Sequence, residues 1–251
     1  MAKYNKLANK HILVIGGTAG IGRGVVEASL ESGARVTLSG SSPQSVASAL
    51  ASIQATYPSS SSPPPLLTGI PCDLSTDDIE RALDDLLTSA EHTQPIDHIV
   101  LTAADPLAIM PLAAITTPQI RASARFRMEV PLVLGKAAAR HLRRSAQCSL
   151  TLTTGGIAYQ PSRGWSLPAF TGAGLAGLAR NLALEMAPVR VNAVAPGFVR
   201  TGLWEGMGMS GEQMARELGG RYPTGKAAVV EEVAEAYVYL MKDGNATGEV
   251  G

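Results

Sequence analysis

Residues 11–22 read HILVIGGTAGIG. The short apolar run that opens this stretch suits a strand buried on both faces. Gly16, Gly20 and Gly22 permit a tight turn and a close backbone approach to a pyrophosphate. The following run IGRGVVEASLESG (21–33) reads as a helix that ends at Gly33. A helix that starts directly after such a turn offers N–H donors and partial positive charge to an anion. Strand, glycine turn and helix, in that order near the start of the chain, predict a dinucleotide-binding α/β fold.

Further along, strand-length apolar runs alternate with helical patterns. ARVTLSG (34–40), LTGIPCDLS (67–75), IDHIVLTAA (96–104), CSLTLTTGG (148–156) and VRVNAVAPG (189–197) supply five more strands. Helices are expected over SPQSVASALASIQATY (42–57), with Ser42 or Ser45 as N-cap, and over TDDIERALDDLLTSAE (76–91). A long helix is expected over 117–143, kinked at Pro131. Two more run from Phe170 to Met186 and over VVEEVAEAYVYLMKD (229–243). SSSSPPPLL (59–67) reads as a low-complexity surface loop. The pattern predicts a Rossmann-type, doubly wound parallel sheet with helices on both faces, in a single domain spanning 1–251.

Charge narrows the function classes. The 21 basic residues are matched by 21 acidic ones, which argues against a nucleic-acid partner. No apolar run approaches the length of a membrane span. The N-terminal MAKYNKLANK lacks the longer apolar segment of a signal peptide, so a cytoplasmic location is expected. Cys72 and Cys148 are isolated and follow no metal-ligand spacing, so no metal site is expected and a reducing compartment is the simple reading.

The glycine spacing is Gly-xxx-Gly-x-Gly rather than GxGxxG. With CDLS (72–75), LTAA (101–104) and LALEMAPVRVNAVAPGFVRT (182–201), it makes the chain resemble the short-chain dehydrogenase/reductase family over nearly its whole length. The resemblance implies a nicotinamide cofactor. Gly16, Thr18, Gly20, Ile21 and Gly22 would hold its pyrophosphate. Asp73, in CDLS with Leu74, would meet the adenine ring, and Ala103 would bind the cofactor from LTAA, in the slot of the family's Asn-Asn-Ala-Gly. Pro196, Gly197, Val199 and Thr201 would flank the nicotinamide. Gly40 stands where NAD-specific relatives carry a carboxylate, and Ser41 and Ser42 follow it. The expected cofactor is therefore NADP(H), with Arg23 as a longer-range positive charge. The other reading of Ser41 and Ser42 is that they merely cap the next helix. The resemblance also implies a homodimer or homotetramer packed through small-residue-rich helices 131–146 and 170–186. Members usually continue past the TGEVG at which this chain ends, so the expectation is either that the sequence is cut short there or that the C-terminal edge strand is missing.

The proton-transfer machinery of the family is a Tyr-x-x-x-Lys pair on one helix face, with a Ser and an Asn. Here Pro168 and Gly172 occupy the pair's positions, Gly155 or Thr154 the Ser slot, and Met128 the Asn slot. Tyr159, in YQPSR, spells a similar spacing with Arg163, but it precedes the site and contains Pro161. Pro168 suits a helix first turn, and Gly172 clears space beside the ribose. Arg127, Thr154, Ser162 and Trp165 remain as candidate catalytic residues: Arg127 reads either as an anion or carbonyl anchor or as a solvated helix-face charge like Arg121 and Arg125, and Trp165 either as a face for a flat apolar or cationic substrate or as core or lid packing.

Arg127, the P-x-x-G-W run at 161–165, Pro168 and the missing Lys resemble fungal reductase/Diels–Alderase-type members of indole alkaloid biosynthesis. Their loop reads Pro-Asp-Pro-Gly-Trp, and Ser162 stands in the Asp slot here. The resemblance implies reduction of an activated, iminium-type, apolar polycyclic or cationic small molecule, with or without guided cyclisation. The alternatives are a non-redox cyclase or isomerase, and an inactive nucleotide-binding scaffold.

Overall fold

Strand β1 (His11–Ile15) lies at the centre of a parallel sheet. In chain order it is followed by β2 (Arg35–Gly40), β3 (Leu67–Pro71), β4 (His98–Leu101), β5 (Ser149–Thr153) and β6 (Arg190–Val194). The computed structural model describes residues 3–57, 66–92, 94–204, 210 and 222–251, and the strands run in the order β3-β2-β1-β4-β5-β6. Ile12 pairs with Val36 on one side of β1, and Leu13 with Ile99 on the other. The chain winds outward from β1 in both directions, so a crevice opens beyond the C-terminal ends of β1 and β4.

The helices are α1 (Gly20–Glu31), α2 (Pro43–Thr56), α3 (Ile79–Glu91), α4 (Thr117–Ala124), α5 (Val130–His141), α6 (Ser166–Glu185) and α7 (Val230–Lys242). Side chains alternate across a strand, so β1 feeds two cores. Ile12 and Val14 pack with residues of α1, α2 and α7, such as Val26, Ile53 and Tyr237. Leu13 and Ile15 pack with residues of α3, α5 and α6, such as Leu83, Leu134 and Leu175. Ser42 caps α2: its hydroxyl accepts from the Ser45 N–H, and Pro43 starts the helix. Arg190 fastens α7 to β6 by donating to the Leu240 and Met241 carbonyls at 2.5 and 2.9 Å.

Three expectations change. The helix over 117–143 is divided into α4, a π turn at Arg125–Glu129, and α5, and Pro131 falls in the first turn of α5. Helix α6 begins at Ser166 rather than Phe170. The edge of β6 is not bare: the Gly248 N–H donates to Val191, and the Ala193 N–H to Glu249, so the terminal TGEVG runs parallel to β6. Most of the Ser/Pro run at 59–67 lies outside the described residues. No helix among the described residues is long and apolar enough to cross a membrane.

Buried polar groups gather at the opposite end of the sheet from the crevice. His98 is 2% exposed and its Nδ1 lies 2.8 Å from the Ser149 hydroxyl. Burial drives its pKa down to about 3, and burial lowers that of His11 as well. Both rings fold neutral and take up a proton near pH 6.5 once unfolded, so their contribution is complete above that pH. For His98 it is lost as pH falls from 6.5 toward 3, at up to about 1.4 kcal/mol per pH unit, and His11 adds a loss in the same direction. Urea midpoints are expected to fall steadily between pH 7 and pH 5, and His98→Asn is expected to reduce that slope.

Candidate active site

The glycine turn is held against the end of β4 by contacts that leave no room for side chains. A Cβ on Gly16, where φ is +90°, would lie 2.4 Å from the Ala103 nitrogen. One on Gly22 would lie 2.1 Å from the Gly16 oxygen and 2.4 Å from the Thr102 hydroxyl. That hydroxyl donates back to the Ile15 and Gly16 carbonyls. Gly20 (φ +52°) faces Thr201 across the crevice. Ala19, the N-cap of α1, has no side chain that can accept a hydrogen bond, and no side chain caps the helix. The first-turn N–H groups therefore point into the crevice uncapped, which is the donor set that a dinucleotide pyrophosphate needs.

At the adenosine end, a Cβ on Gly40 would lie 2.5 Å from Thr18 Cγ2, so a side chain at position 40 would require Thr18 to shift. Ser42 is engaged in capping α2, which leaves Ser41 as the exposed hydroxyl. Arg23 is not a free charge: it pairs with Glu27 at 2.8 Å and donates to Ser52 at 3.0 Å. Asp73 accepts from the Ser75 N–H and hydroxyl, at 2.9 and 2.7 Å, which holds its carboxyl below the usual range. Leu74 belongs to the core that α3 covers rather than to the open cradle.

Beside the cradle lies a cavity of about 400 Å³. It brings together Arg127, Thr154, Ser162 and Trp165 with Ile21, Ala103, Pro196, Gly197, Val199 and Thr201. Gly16, Thr18, Gly20 and Gly22 shape the neighbouring turn, while Ser41, Ser42, Asp73 and Leu74 lie outside the cavity lining.

The π turn decides what α4 and α5 present. An extra residue in one helical turn re-aims side chains, and such turns recur at functional sites. Arg127 faces the cavity, whereas Met128 is turned to α6, with its Cε 3.0 Å from where a Cβ on Gly174 would sit. Arg127 Nε lies 2.7 Å from Asp105 Oδ1, and the guanidinium also donates to the Asp105 carbonyl. The carboxylate contact is an ion pair rather than an aligned hydrogen bond. Burial raises the Asp105 pKa and lowers that of Arg127, and each charge opposes the shift of the other. Arg127 is thus already compensated by a carboxylate, which corrects its reading as an open anion anchor.

Helix α6 shows why Pro168 and Gly172 fit. The first intrahelical bond is from the Ala169 N–H to the Trp165 carbonyl, so position 168 needs no N–H donor. A Cβ on Gly172 would lie 3.3 Å from the Thr154 hydroxyl. That hydroxyl donates to the Gly172 carbonyl at 2.8 Å, so Thr154 presents lone pairs rather than a proton to the cavity. Tyr159 follows a single 3-10 turn, is 53% exposed and does not join α6.

In the preceding loop the Trp165 N–H donates to Ser162, with Gly164 at φ +79° between them, a turn that favours glycine. The Met110 N–H donates to the Gly164 carbonyl and ties this loop to the segment after β4. Ser162 is exposed. The Trp165 ring meets Phe198 edge-on at 5.9 Å and Trp204 at 6.2 Å, and Tyr222 lies 6.4 Å from Phe198. Sequence reasoning does not find Asp105, Phe198, Trp204 or Tyr222. Phe198 lies inside APGFVRT, a motif that marks backbone rather than ring, and the other three lie in segments without periodicity.

A family model described as an SDR-like Rossmann domain matches residues 3–250. The chain belongs to the short-chain dehydrogenase/reductase family. It is 38% identical to short-chain dehydrogenase/reductase fsr5 of Gibberella fujikuroi, over all of this chain and 95% of that one. It is 39% identical to malC of Malbranchea aurantiaca, covering 97% of this chain and 92% of the relative. The solved structure of the MalC reductase/Diels-Alderase superposes with a TM-score of 0.90, at 38% identity, over 98% of this chain and 95% of that one.

Removing one member of a half-buried ion pair strands the other. Arg127→Met is expected to lower stability by about 1–3 kcal/mol in urea titrations, and Arg127→Met with Asp105→Leu to recover most of the loss. Additive losses would show that the two side chains do not act as a pair.

Proposed function

We propose that this short-chain dehydrogenase/reductase is an NADP(H)-dependent enzyme of secondary metabolism that reduces an activated, iminium-type substrate and guides its cyclisation. The observation that carries this reading is the cavity itself. It adjoins the dinucleotide cradle, has an aromatic wall, and offers Pro168 and Gly172 where the family keeps its acid–base pair.

NADPH, when bound, supplies a hydride. A C=N carbon that is already cationic needs no acid to activate it, so the chain's task is orientation and exclusion of water. The faces of Trp165 and Trp204 suit a flat apolar or cationic ring system. Gly40 leaves no carboxylate to repel a 2′-phosphate, and Ser41 is exposed beside it. The likeness to a protein described as a reductase/Diels-Alderase supports adding cyclisation to the reading. The mainly apolar cavity, with the Thr154 proton directed into α6, also favours a second reading, a non-redox cyclase that keeps the cofactor site as structure. Assembly as a homodimer is part of the proposal, supported by Leu132 and Phe170, each 54% exposed on α5 and α6.

Titration is expected to show NADPH binding at least about tenfold more tightly than NADH. NADPH should be consumed with a cyclic iminium salt and not with the matching ketone. The iminium rate should stay flat from about pH 6 to 9, because no tyrosine-like acid takes part. Binding without consumption would transfer the case to the cyclase reading. Failure to bind either dinucleotide would sink the reductase.

A further inference from the structure

Several donors around the cavity are already turned to the backbone. The hydroxyls of Thr102, Thr153, Thr154 and Thr171 donate to main-chain carbonyls, and Trp204 Nε1 donates to the Val199 carbonyl. Tyr222 is arranged the other way round. Its oxygen accepts the Phe198 N–H at 2.9 Å, and among the described residues nothing accepts its own proton. The phenol has a built seat: a Cβ on Gly197 would lie 2.7 Å from its oxygen, so the glycine is what admits it to the cavity wall. The T-shaped contact with Phe198 fixes its ring.

A phenol held by its oxygen at the wall of a mainly apolar cavity selects for an acceptor on whatever fills that cavity. A ligand without one leaves the O–H unpaired on closure, and that is how a site discriminates between otherwise similar molecules. We propose that Tyr222 is a substrate-binding residue whose O–H donates to a carbonyl oxygen on a flat, apolar substrate, so that the substrate class is carbonyl-bearing as well as ring-based. This rests on the reading that the cavity beside the cradle is the substrate site.

The test uses the whole protein saturated with NADP⁺ and two probes, oxindole and indoline, which differ in one carbonyl. The chain's two tryptophans, Trp165 and Trp204, both line the cavity, so quenching of their fluorescence reports occupancy directly. Wild type is expected to bind oxindole about tenfold more tightly than indoline. Tyr222→Phe should weaken oxindole by about tenfold and leave indoline unchanged. A merely structural phenol that supports Phe198 would move both probes together, and that result overturns the proposal while leaving the cavity as the substrate site. Equal affinities in wild type overturn it too. If neither probe quenches wild type, the substrate-site reading falls and the proposal falls with it.

Discussion

The approach of the glycine turn to the end of β4 is the contact on which the remaining structure depends. Backbone meets backbone there, with Gly16 against Ala103 and Gly22 against the Gly16 carbonyl, at separations that no side chain permits. The approach fixes how α1 leaves the sheet, and so where its uncapped N–H groups point. It also lies where the sheet order diverges, between β1 and β4, so one constraint sets both the crevice and its electrostatics. The cavity grows from the same place, because Ala103 and Ile21 form part of its wall.

Around this frame stand the side chains that give the cavity its character. Gly172 lets the Thr154 hydroxyl bond the helix backbone, which draws α6 against the end of β5 and turns a potential proton donor into a strut. The π turn brings a guanidinium to the cavity and rotates Met128 out of it, while Asp105 neutralises that guanidinium. The other wall is built from Trp165, Phe198, Trp204 and Tyr222, which are scattered along the chain and meet only in the fold. Together these contacts leave the cavity with an aromatic wall, a compensated charge and a threonine hydroxyl turned to the backbone.

Much of the architecture was legible because it rests on local rules. The apolar strands, Gly33 past the end of α1, and Ser42 before Pro43 each state a backbone preference that short-range physics enforces. That Pro168 and Gly172 share one face of α6 was legible because a helix keeps register. The division of the 117–143 helix was not, since a π turn carries no residue signature of its own and Pro131 drew attention to the wrong place. The partner of Arg127 was hidden for another reason: Asp105 lies 22 residues away in a loop, and nothing periodic links the two.

The sequence by itself determined the doubly wound sheet and the glycine turn that opens α1, since these follow from residue type at fixed local spacing; only the resemblance to the family marks Pro168 and Gly172 as standing where its acid–base pair would. Only the tertiary structure decided that Arg127 is already neutralised, that Thr154 donates into α6, and that the terminal segment shields β6. It also decided that Tyr222 reaches the cavity over Gly197. The physical reason is that burial and hydrogen-bond partnership belong to groups brought together from distant parts of the chain, and these settle the chemical state of a side chain more than its identity does.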